Sequence, residues 1–337
     1  MIWIFSVSAF LISAFLSRMI VSPWARISVM DNPNERSLHQ EPVPSGGGIA
    51  ILAAFFLCGT TAVIALGLQF SEAGWLAVGT LPLAAVSYLD DRKGVPARYR
   101  LLVHFSVATV LVFAGFIPSL YYLPGLVWAP SFVISAAVCM VFVVWLTNLY
   151  NFMDGMDGFA GGMAVCGFGF MAYFGFTAGA QSFFMVSLLL SFASFGFLMF
   201  NFPPARLFMG DVGSAPLGYL AGGLTLWGTR DNIFPVWAPL LLFAPFIVDA
   251  TVTLIRRLLN GEKVWQAHRT HYYQRLVQLG WGHKKTVLAE YVLMISMGIS
   301  AVLLTKLNDP AIIIAGLAAW ALIYGLIAAG IGRLESN

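Results

Sequence analysis

The sequence has 337 residues, of which 59% are hydrophobic and only 10% charged, with a formal net charge of +3. A soluble domain would carry about a quarter charged residues, so this composition excludes an ordinary soluble protein and indicates an integral membrane protein. Apolar runs of spanning length recur along the whole chain and leave no room for a sizeable soluble domain. We therefore expect residues 1–337 to form one all-α, polytopic membrane domain, and nothing indicates a nucleic-acid partner.

Eleven predicted helices begin near positions 2, 46, 75, 100, 131, 160, 183, 213, 233, 286 and 311. The first apolar run, from Ile2, is not preceded by Lys or Arg and ends without a small-residue cleavage site. We therefore expect it to remain as a span and not to be removed as a signal. The spans near 75 and 233 are the weakest, because one is short and the other carries Asp249.

The positive charges divide unevenly between the two sets of alternating loops. Of the 18 Lys and Arg residues, all but Arg230 and Lys306 fall after odd-numbered spans or in the C-terminal tail. Short cytoplasmic loops are rich in Lys and Arg. The sequence therefore predicts an N-terminus outside, a C-terminus in the cytoplasm, and chemistry at the cytoplasmic face, because the unusual polar motifs share the positive side.

The motif PVPSGGG, residues 42–48, precedes the second predicted span. Its prolines favour an extended segment, and its glycines allow a second backbone to approach closely. His39, just before the motif, is uninformative on its own.

Two adjacent carboxylates, Asp90 and Asp91, end the third predicted span in the sequence LDDRKG. This is the unfavourable end of the helix dipole for negative charge, so a cation or a cationic network is implied. The alternative is a solvated loop start helped by Arg92 and Lys93.

The stretch NLYNFMDGMDG ends the fifth predicted span. A spacing of three joins its polar side chains, which are Asn148, Asn151, Asp154 and Asp157. On a continuous helix they would share one face, whereas Gly155 and Gly158 favour a break that lets the backbone approach a ligand. Polar groups at membrane depth are costly and by default functional. The alternative is a polar cap followed by a turn.

Asp211 lies between two glycines in LFMGDVGS, just before the eighth predicted span and close to Phe208. A carboxylate in such a turn is a candidate oxygen ligand for Mg²⁺, with room for phosphate oxygens. The alternative is a helix cap formed by Asp211 or Ser214.

The largest positive loop contains HRTHYYQR, with a cluster of basic side chains: His268, Arg269, His271 and Arg275. A zinc site would need a third ligand that is not present at suitable spacing. Such donors suit a pyrophosphate, and the alternative is a basic stretch that contacts anionic lipid head groups. Together with the carboxylates, they suggest Mg²⁺-assisted chemistry on a phosphorylated substrate.

These motifs, in this order, resemble the polyprenyl-phosphate N-acetylhexosamine-1-phosphate transferases over nearly the whole chain. That family includes the phospho-MurNAc-pentapeptide transferase of peptidoglycan synthesis and the enzymes that start O-antigen and related glycans. The resemblance implies an enzyme of the bacterial inner membrane. It would transfer a sugar 1-phosphate from a UDP-N-acetylhexosamine to undecaprenyl phosphate and release UMP.

The resemblance also implies three roles. The ligands of Mg²⁺, or alternatively Mn²⁺, would be Asp211 and Asn151. The carboxylates that act on the lipid phosphate would be Asp90 and Asp91. The groups that bind the donor would be Asp154, Asp157, Phe208 (stacked on uracil), His268, Arg269, His271 and Arg275.

One departure separates this chain from the pentapeptide transferases. It has HRTH and Arg92 where they carry three consecutive histidines and a third acidic residue. This favours initiation of lipopolysaccharide O-antigen or another surface glycan, with GlcNAc, N-acetylfucosamine or N-acetylquinovosamine as the donor sugar. Peptidoglycan precursor synthesis is the alternative.

The sequence leaves three further questions open. Direct attack by the lipid phosphate is favoured over a covalent Asp intermediate, because the phosphate is already a nucleophile. Outside the enzyme class, an ion-coupled transporter would predict polar groups distributed across the membrane depth. The oligomeric state, monomer or homodimer, is not determined.

Overall fold

The computed structural model describes residues 1–22, 29–33, 38–67, 71–263 and 268–336. Arg26 and Arg36, which belong to the predicted cytoplasmic charges, lie outside the described residues. Within these ranges the helices are α1 (Ile2–Val21), α2 (Gly47–Leu66), α3 (Ser71–Lys93), α4 (Ala97–Phe113), α5 (Phe132–Phe152), α6 (Phe159–Thr177), α7 (Gln181–Asn201), α8 (Asp211–Arg230), α9 (Trp237–Leu242), α10 (Ala244–Leu259), α11 (Tyr272–Leu276), α12 (Gly282–Leu307) and α13 (Pro310–Ser336). A π-helical turn, Val277–Trp281, joins α11 to α12.

A helix begins within a few residues of each predicted start. In the described chain, 7 helices are long and apolar enough to cross a membrane. Helices α3, α4 and α8 and the pair α9 and α10 are not among these seven. The polytopic, mainly helical class is therefore confirmed, whereas the total of eleven spans and the sides of the termini stay predictions.

Two short antiparallel hairpins are exceptions to the all-helical prediction. One pairs β1 (Val29–Asp31) with β2 (Val43–Ser45), and the other pairs β3 (Tyr121–Leu123) with β4 (Leu126–Trp128). The first hairpin contains part of the PVPSGGG motif, which is extended as its prolines predicted.

The ninth predicted span is wrong as a single helix. It is divided at Phe243 into α9 and α10. Pro245 explains the break, because it has no N–H to donate to the Leu241 carbonyl and its ring would collide with that group.

Helix α8 is the buried centre of the bundle, and all of its residues from Val212 to Thr229 are buried. It packs against α3 and α5. A Cβ atom on Gly79 of α3 would lie 1.9 Å from the Tyr219 hydroxyl, and one on Gly218 would lie 2.6 Å from the Leu146 carbonyl oxygen. Small residues at such contacts let helix backbones approach closely. The start of α8 is consequently held by the most buried part of the protein.

The peripheral helix α13 exposes apolar side chains. Leu322 and Leu326 are 65% and 64% exposed. Contact of these side chains with water would be unfavourable, whereas contact with lipid hydrocarbon is not. This surface suits a bilayer.

Candidate active site at the start of helix α8

A side chain from α3 caps the N-terminus of α8. Asp91 Oδ1 accepts a hydrogen bond from the backbone N–H of Asp211 at 3.0 Å, and Oδ2 accepts one from Val212 at 3.1 Å. The first N–H groups of a helix have no partner within it, and the helix dipole favours negative charge there. Helix α8 thus supplies a positive partner for Asp91, and Asp91 fixes the backbone that carries Asp211.

Arg100, in the first turn of α4, lies between two carboxylates. Its Nη1 forms a close ion pair with Asp90 and lies 3.3 Å from Asp211 Oδ2. Asp90 Oδ1 also accepts a hydrogen bond from the Val95 N–H at 2.6 Å. Arg100 is therefore the cation that faces the predicted catalytic and metal-binding carboxylates together.

The two asparagines of the NLYNFMDGMDG motif have different hydrogen-bond partners. Asn151 Nδ2 donates to Ser214 Oγ at 2.9 Å, which ties the end of α5 to the first turn of α8. Asn148 Nδ2 lies 3.1 Å from Nδ1 of the buried His104 in α4. Asn151 therefore belongs to the site around Asp211, whereas Asn148 binds inside the bundle.

Asp154, in the turn between α5 and α6, is half-buried. Burial is the main cause that raises the pKa of Asp154 to about 8, and the carboxylates of Asp211, Asp91 and Asp31 raise it further. A group in this position favours a proton or a bound cation over a free negative charge.

The Asp157 carboxylate is engaged within the protein. Its Oδ2 accepts a hydrogen bond from the Ala205 N–H at 3.0 Å, and its Oδ1 lies 3.0 Å from His283 Nδ1 in α12. Asp157 therefore joins three separate segments of the chain. Its predicted contact with the nucleotide stays a prediction.

The PVPSGGG motif packs directly against the segment that precedes α8. The Phe208 N–H donates to the Pro44 carbonyl at 2.9 Å, and the Gly47 N–H donates to the Phe208 carbonyl at 2.9 Å. A Cβ atom on Gly48 would lie 2.1 Å from the Gly213 Cα atom. The close backbone approach predicted from the glycines is confirmed.

The ring of Phe208, predicted to stack on uracil, has an aromatic neighbour. The His39 ring lies edge-on with its centroid 4.9 Å from that of Phe208. His39 is therefore a neighbour of a predicted site residue, which the sequence around His39 did not indicate.

The basic loop, which contains the HRTH sequence of residues 268–271, holds two histidines in contact with each other. The rings of His268 and His271 lie 4.8 Å apart, and His271 Nδ1 lies 3.2 Å from Asp249 Oδ1. Burial, and then the nearby charges of His271 and Arg257, lower the pKa of His268 to about 4. His268 is therefore neutral at pH 7.

The two arginines of the HRTHYYQR segment differ in exposure and partners. Arg269 is exposed. Arg275 forms an ion pair with Glu335 in α13, and its guanidinium lies 4.7 Å from the centre of the Tyr272 ring. Arg275 thus fastens α11 to α13, and its predicted contact with substrate stays a prediction.

Helix α11 brings the basic loop beside Asp154. The rings of Tyr273 and Phe159 lie 4.7 Å apart, and a Cβ atom on Gly155 would lie 2.3 Å from the Tyr273 hydroxyl. Helix α11 therefore lies beside the turn that follows Asp154, although the two segments are far apart along the chain.

Arg100 was not singled out from the sequence, although a signal was available. Residues 94–96 alone separate α3 from α4. Such a short connection places the last turn of one helix beside the first turn of the next. An Arg in that first turn was therefore a natural partner for Asp90.

The carboxylates around Asp211 suit a hard divalent cation whose remaining ligands come from water and the substrate. Among the described residues, no three Asp, Glu, His or Cys side chains form a full metal cage. Mg²⁺ does not need one, because it commonly binds one or two carboxylates together with water and substrate phosphates. The carboxylates of Asp211 and Asp91 add to the burial that raises the pKa of Asp154, and a bound cation would relieve this unfavourable negative charge.

Comparisons with known proteins show which proteins the chain is similar to. Residues 74–229 match Glycosyl transferase family 4. The chain is 30% identical to the "Probable undecaprenyl-phosphate N-acetylglucosaminyl 1-phosphate transferase" of Bacillus subtilis (strain 168), over 88% of this chain and 84% of that protein. It is 30% identical to the "Decaprenyl-phosphate N-acetylglucosaminephosphotransferase" of Mycobacterium leprae, over 85% of this chain and 79% of the relative. It is 29% identical to the "Phospho-N-acetylmuramoyl-pentapeptide-transferase" of a Synechococcus strain, over 83% and 85%.

Proposed function

The chain belongs to glycosyl transferase family 4, whose relatives here are polyprenyl-phosphate sugar-phosphate transferases, and on that premise we propose its specific reaction. The chain transfers N-acetylhexosamine 1-phosphate from a UDP-sugar to undecaprenyl phosphate and releases UMP. The observation that carries the proposal is the group of Asp90, Arg100, Asp91 and Asp211 at one helix start.

Charge balance supports a metal ion in this reaction. The donor diphosphate, the lipid phosphate and the carboxylates of the site are all anionic. Mg²⁺ held by Asp211 and Asn151, with Asp154 nearby, would neutralise the diphosphate and stabilise charge on the departing UMP. Arg100 supplies a second positive charge beside Asp90 and Asp211, where it can hold a phosphate.

The hydrogen bonds of the Asp pair support direct transfer. A lipid phosphate oxygen forms a bond to the β-phosphorus of the donor while the bond from that phosphorus to the bridging oxygen breaks, and its electron pair leaves with UMP. Both Asp91 oxygens already hold backbone N–H groups, and Asp90 holds the Val95 N–H and Arg100. With a second pKa near 6, the phosphate is already largely ionised, so proton removal by Asp90 contributes little.

The identity of the donor is supported by the relatives. Two of them carry names that specify N-acetylglucosamine phosphate transfer, which makes UDP-GlcNAc the first donor. The HRTH sequence separates this chain from the pentapeptide transferases. Initiation of O-antigen stays a prediction, and the broader proposal is a lipid-linked surface glycan precursor.

The position of the site is proposed from the distribution of charge. The Lys and Arg asymmetry supports the cytoplasmic face of a bacterial inner membrane. A transporter would distribute its polar groups through the membrane depth, whereas the contacts of the described site residues form two groups, one at the start of α8 and one at the start of α11.

The proposal is tested by purifying the protein in detergent and supplying undecaprenyl phosphate, Mg²⁺ and a panel of UDP-sugars. UMP release is measured with each donor, including UDP-GlcNAc, the two deoxy sugars and UDP-MurNAc-pentapeptide. Release with an N-acetylhexosamine donor is expected. Release with the pentapeptide donor alone would favour the second candidate, to which the Synechococcus relative points. No UMP from any donor would contradict both.

A further inference from the structure

The carboxylate of Asp249 in α10 contacts four polar groups of the protein. Asp249 is only 7% exposed. Its Oδ1 accepts hydrogen bonds from the Tyr272 N–H at 2.9 Å and from the Thr253 hydroxyl at 3.0 Å, and it lies 3.2 Å from His271 Nδ1. Its Oδ2 accepts a hydrogen bond from the Tyr273 N–H at 3.1 Å. The carboxylate therefore binds both the start of α11 and the residue immediately before it.

The arrangement repeats the one at α8. In each case a carboxylate from another helix accepts the N–H groups of the first two helical residues. At α8 the fixed start carries Asp211, and at α11 the residue just before the start is His271. Asp211 and His271, which both have proposed functions, are thus each held beside a helix start that is capped by a carboxylate from another helix.

The contact also fixes the chemistry of the imidazole. A carboxylate can only accept hydrogen bonds, so the hydrogen on His271 Nδ1 must point toward Asp249. This leaves Nε2 as the nitrogen available to other partners. The ring is further held by Tyr273, which stacks on it at 5.8 Å with an angle of 14°, and by His268 at 4.8 Å.

We propose that Asp249 is a positioning residue for the donor. It holds His271 in one orientation and one tautomer, so that Nε2 meets the diphosphate and sugar of the UDP-sugar. This inference rests on the proposed function, because the role of His271 toward the donor does. Asp249 itself touches no substrate in this account and acts through His271.

A change at Asp249 should affect the UDP-sugar and not the lipid phosphate, because the two proposed binding regions lie on different helices. Asp249 belongs to α10 and His271 lies just before α11, whereas the proposed partners of the lipid phosphate, Asp90 and Arg100, belong to α3 and α4. A change at Asp249 should therefore raise the KM for the UDP-sugar and leave the KM for undecaprenyl phosphate unchanged. Simple loss of folded protein would lower activity without moving either KM.

The experiment is a double-mutant cycle measured with UDP-GlcNAc, or with the donor found active in the panel. Asp249→Asn keeps the shape but places an amide toward Nδ1, and we expect its KM for the donor to rise about tenfold. In a His271→Ala background the same change should alter kcat/KM less than about twofold, because the group through which Asp249 acts is absent. Thr253→Val, which removes another contact of the same carboxylate, should keep a donor KM close to that of the wild type.

The outcomes distinguish a failure of the positioning role from a failure of the proposed function. If the loss caused by Asp249→Asn is fully retained in the His271→Ala background, or if the KM for the lipid rises equally, the positioning role is wrong while the proposed function stands. If the wild type releases no UMP, the proposed function fails and this inference fails with it. If Asp249→Asn is not recovered folded, the cycle is run with Asp249→Glu, which displaces the carboxylate by one methylene, and the same non-additivity is required.

Discussion

The carboxylate of Asp91 and the backbone of Asp211 are joined by a hydrogen bond of 3.0 Å between residues that lie far apart in the sequence. The bond places the end of α3 on the start of α8, the most buried helix of the bundle. It explains how a pair of acidic residues can end a helix, and why Asp211 occupies a fixed position.

Asp91→Ala should destabilise the protein because it removes the cap of α8. Loss of a helix cap typically costs about 1 kcal/mol in the free energy of unfolding, within a range of about 0.5–2 kcal/mol. Asp91→Asn keeps one acceptor oxygen and should lie between the alanine variant and the wild type. Thermal unfolding in detergent measures the order, and an alanine variant as stable as the wild type would contradict the capping role.

Arg100→Gln should lower kcat/KM tenfold or more, because Asp90 and Asp211 lose their cation and repel the anionic substrates. Arg98→Gln is the matched control, since Arg98 is exposed and its guanidinium contacts the neighbouring Tyr99. The measurement is UMP release at varied concentrations of each substrate. Equal losses in the two variants would show that only the overall positive charge of the loop matters.

The stability of the protein should depend on pH through Asp154. The pKa of its carboxyl is about 8 in the folded protein and about 3.9 in an unfolded chain. Because the folded state holds the proton more tightly, the stabilisation is complete below about pH 4 and is lost as the pH rises through about 8.

The melting temperature of the wild type without Mg²⁺ should therefore fall between about pH 6 and pH 9. Asp154→Asn stays neutral and should show a smaller fall. Asp309→Asn, which changes an exposed carboxylate at the start of α13, should keep the wild-type slope. An unchanged slope in Asp154→Asn would contradict the assignment.

Gly48→Ala should disrupt the contact between α2 and α8. The added methyl group would lie 2.1 Å from the Cα atom of Gly213, and a backbone atom cannot rotate away as a side chain can. Overpacking of this kind costs about 1–3 kcal/mol or more. Gly59→Ala, in the same helix, would meet its nearest neighbour, Leu189, at 3.8 Å and should fold normally. Similar expression and unfolding of the two variants would contradict the account.

Local patterns were sufficient to predict most of the fold. Long apolar runs gave the helix positions, and the side shared by the polar motifs predicted their common location. The break at Phe243 was missed because the apolar run continues through it, although Pro245 marked the place. The hairpin of β1 and β2 was missed because three-residue strands leave little periodic signal.

Most of the candidate site was predicted as a set of residues but not as a set of contacts. Spacing identified Asp91 and Asp157 as members of unusual polar motifs, whereas Asp249 stood out only as a charge within a predicted span. Their partners are the start of α8, His283 and the start of α11, all far along the chain. Such pairs are decided by tertiary packing, which a local pattern does not contain.

We propose that the carboxylates around Asp211 support Mg²⁺-dependent transfer of a sugar phosphate to a lipid. The most direct measurement is the mass of the lipid product formed by purified wild-type protein and by Asp211→Asn, with unfolding temperatures recorded for both. We expect a diphosphate-linked undecaprenyl sugar from the wild type only when donor, lipid phosphate and Mg²⁺ are all present, and at least a hundredfold less from the folded variant. Full Mg²⁺-dependent activity in Asp211→Asn, or no lipid product from the wild type with any donor, would contradict it.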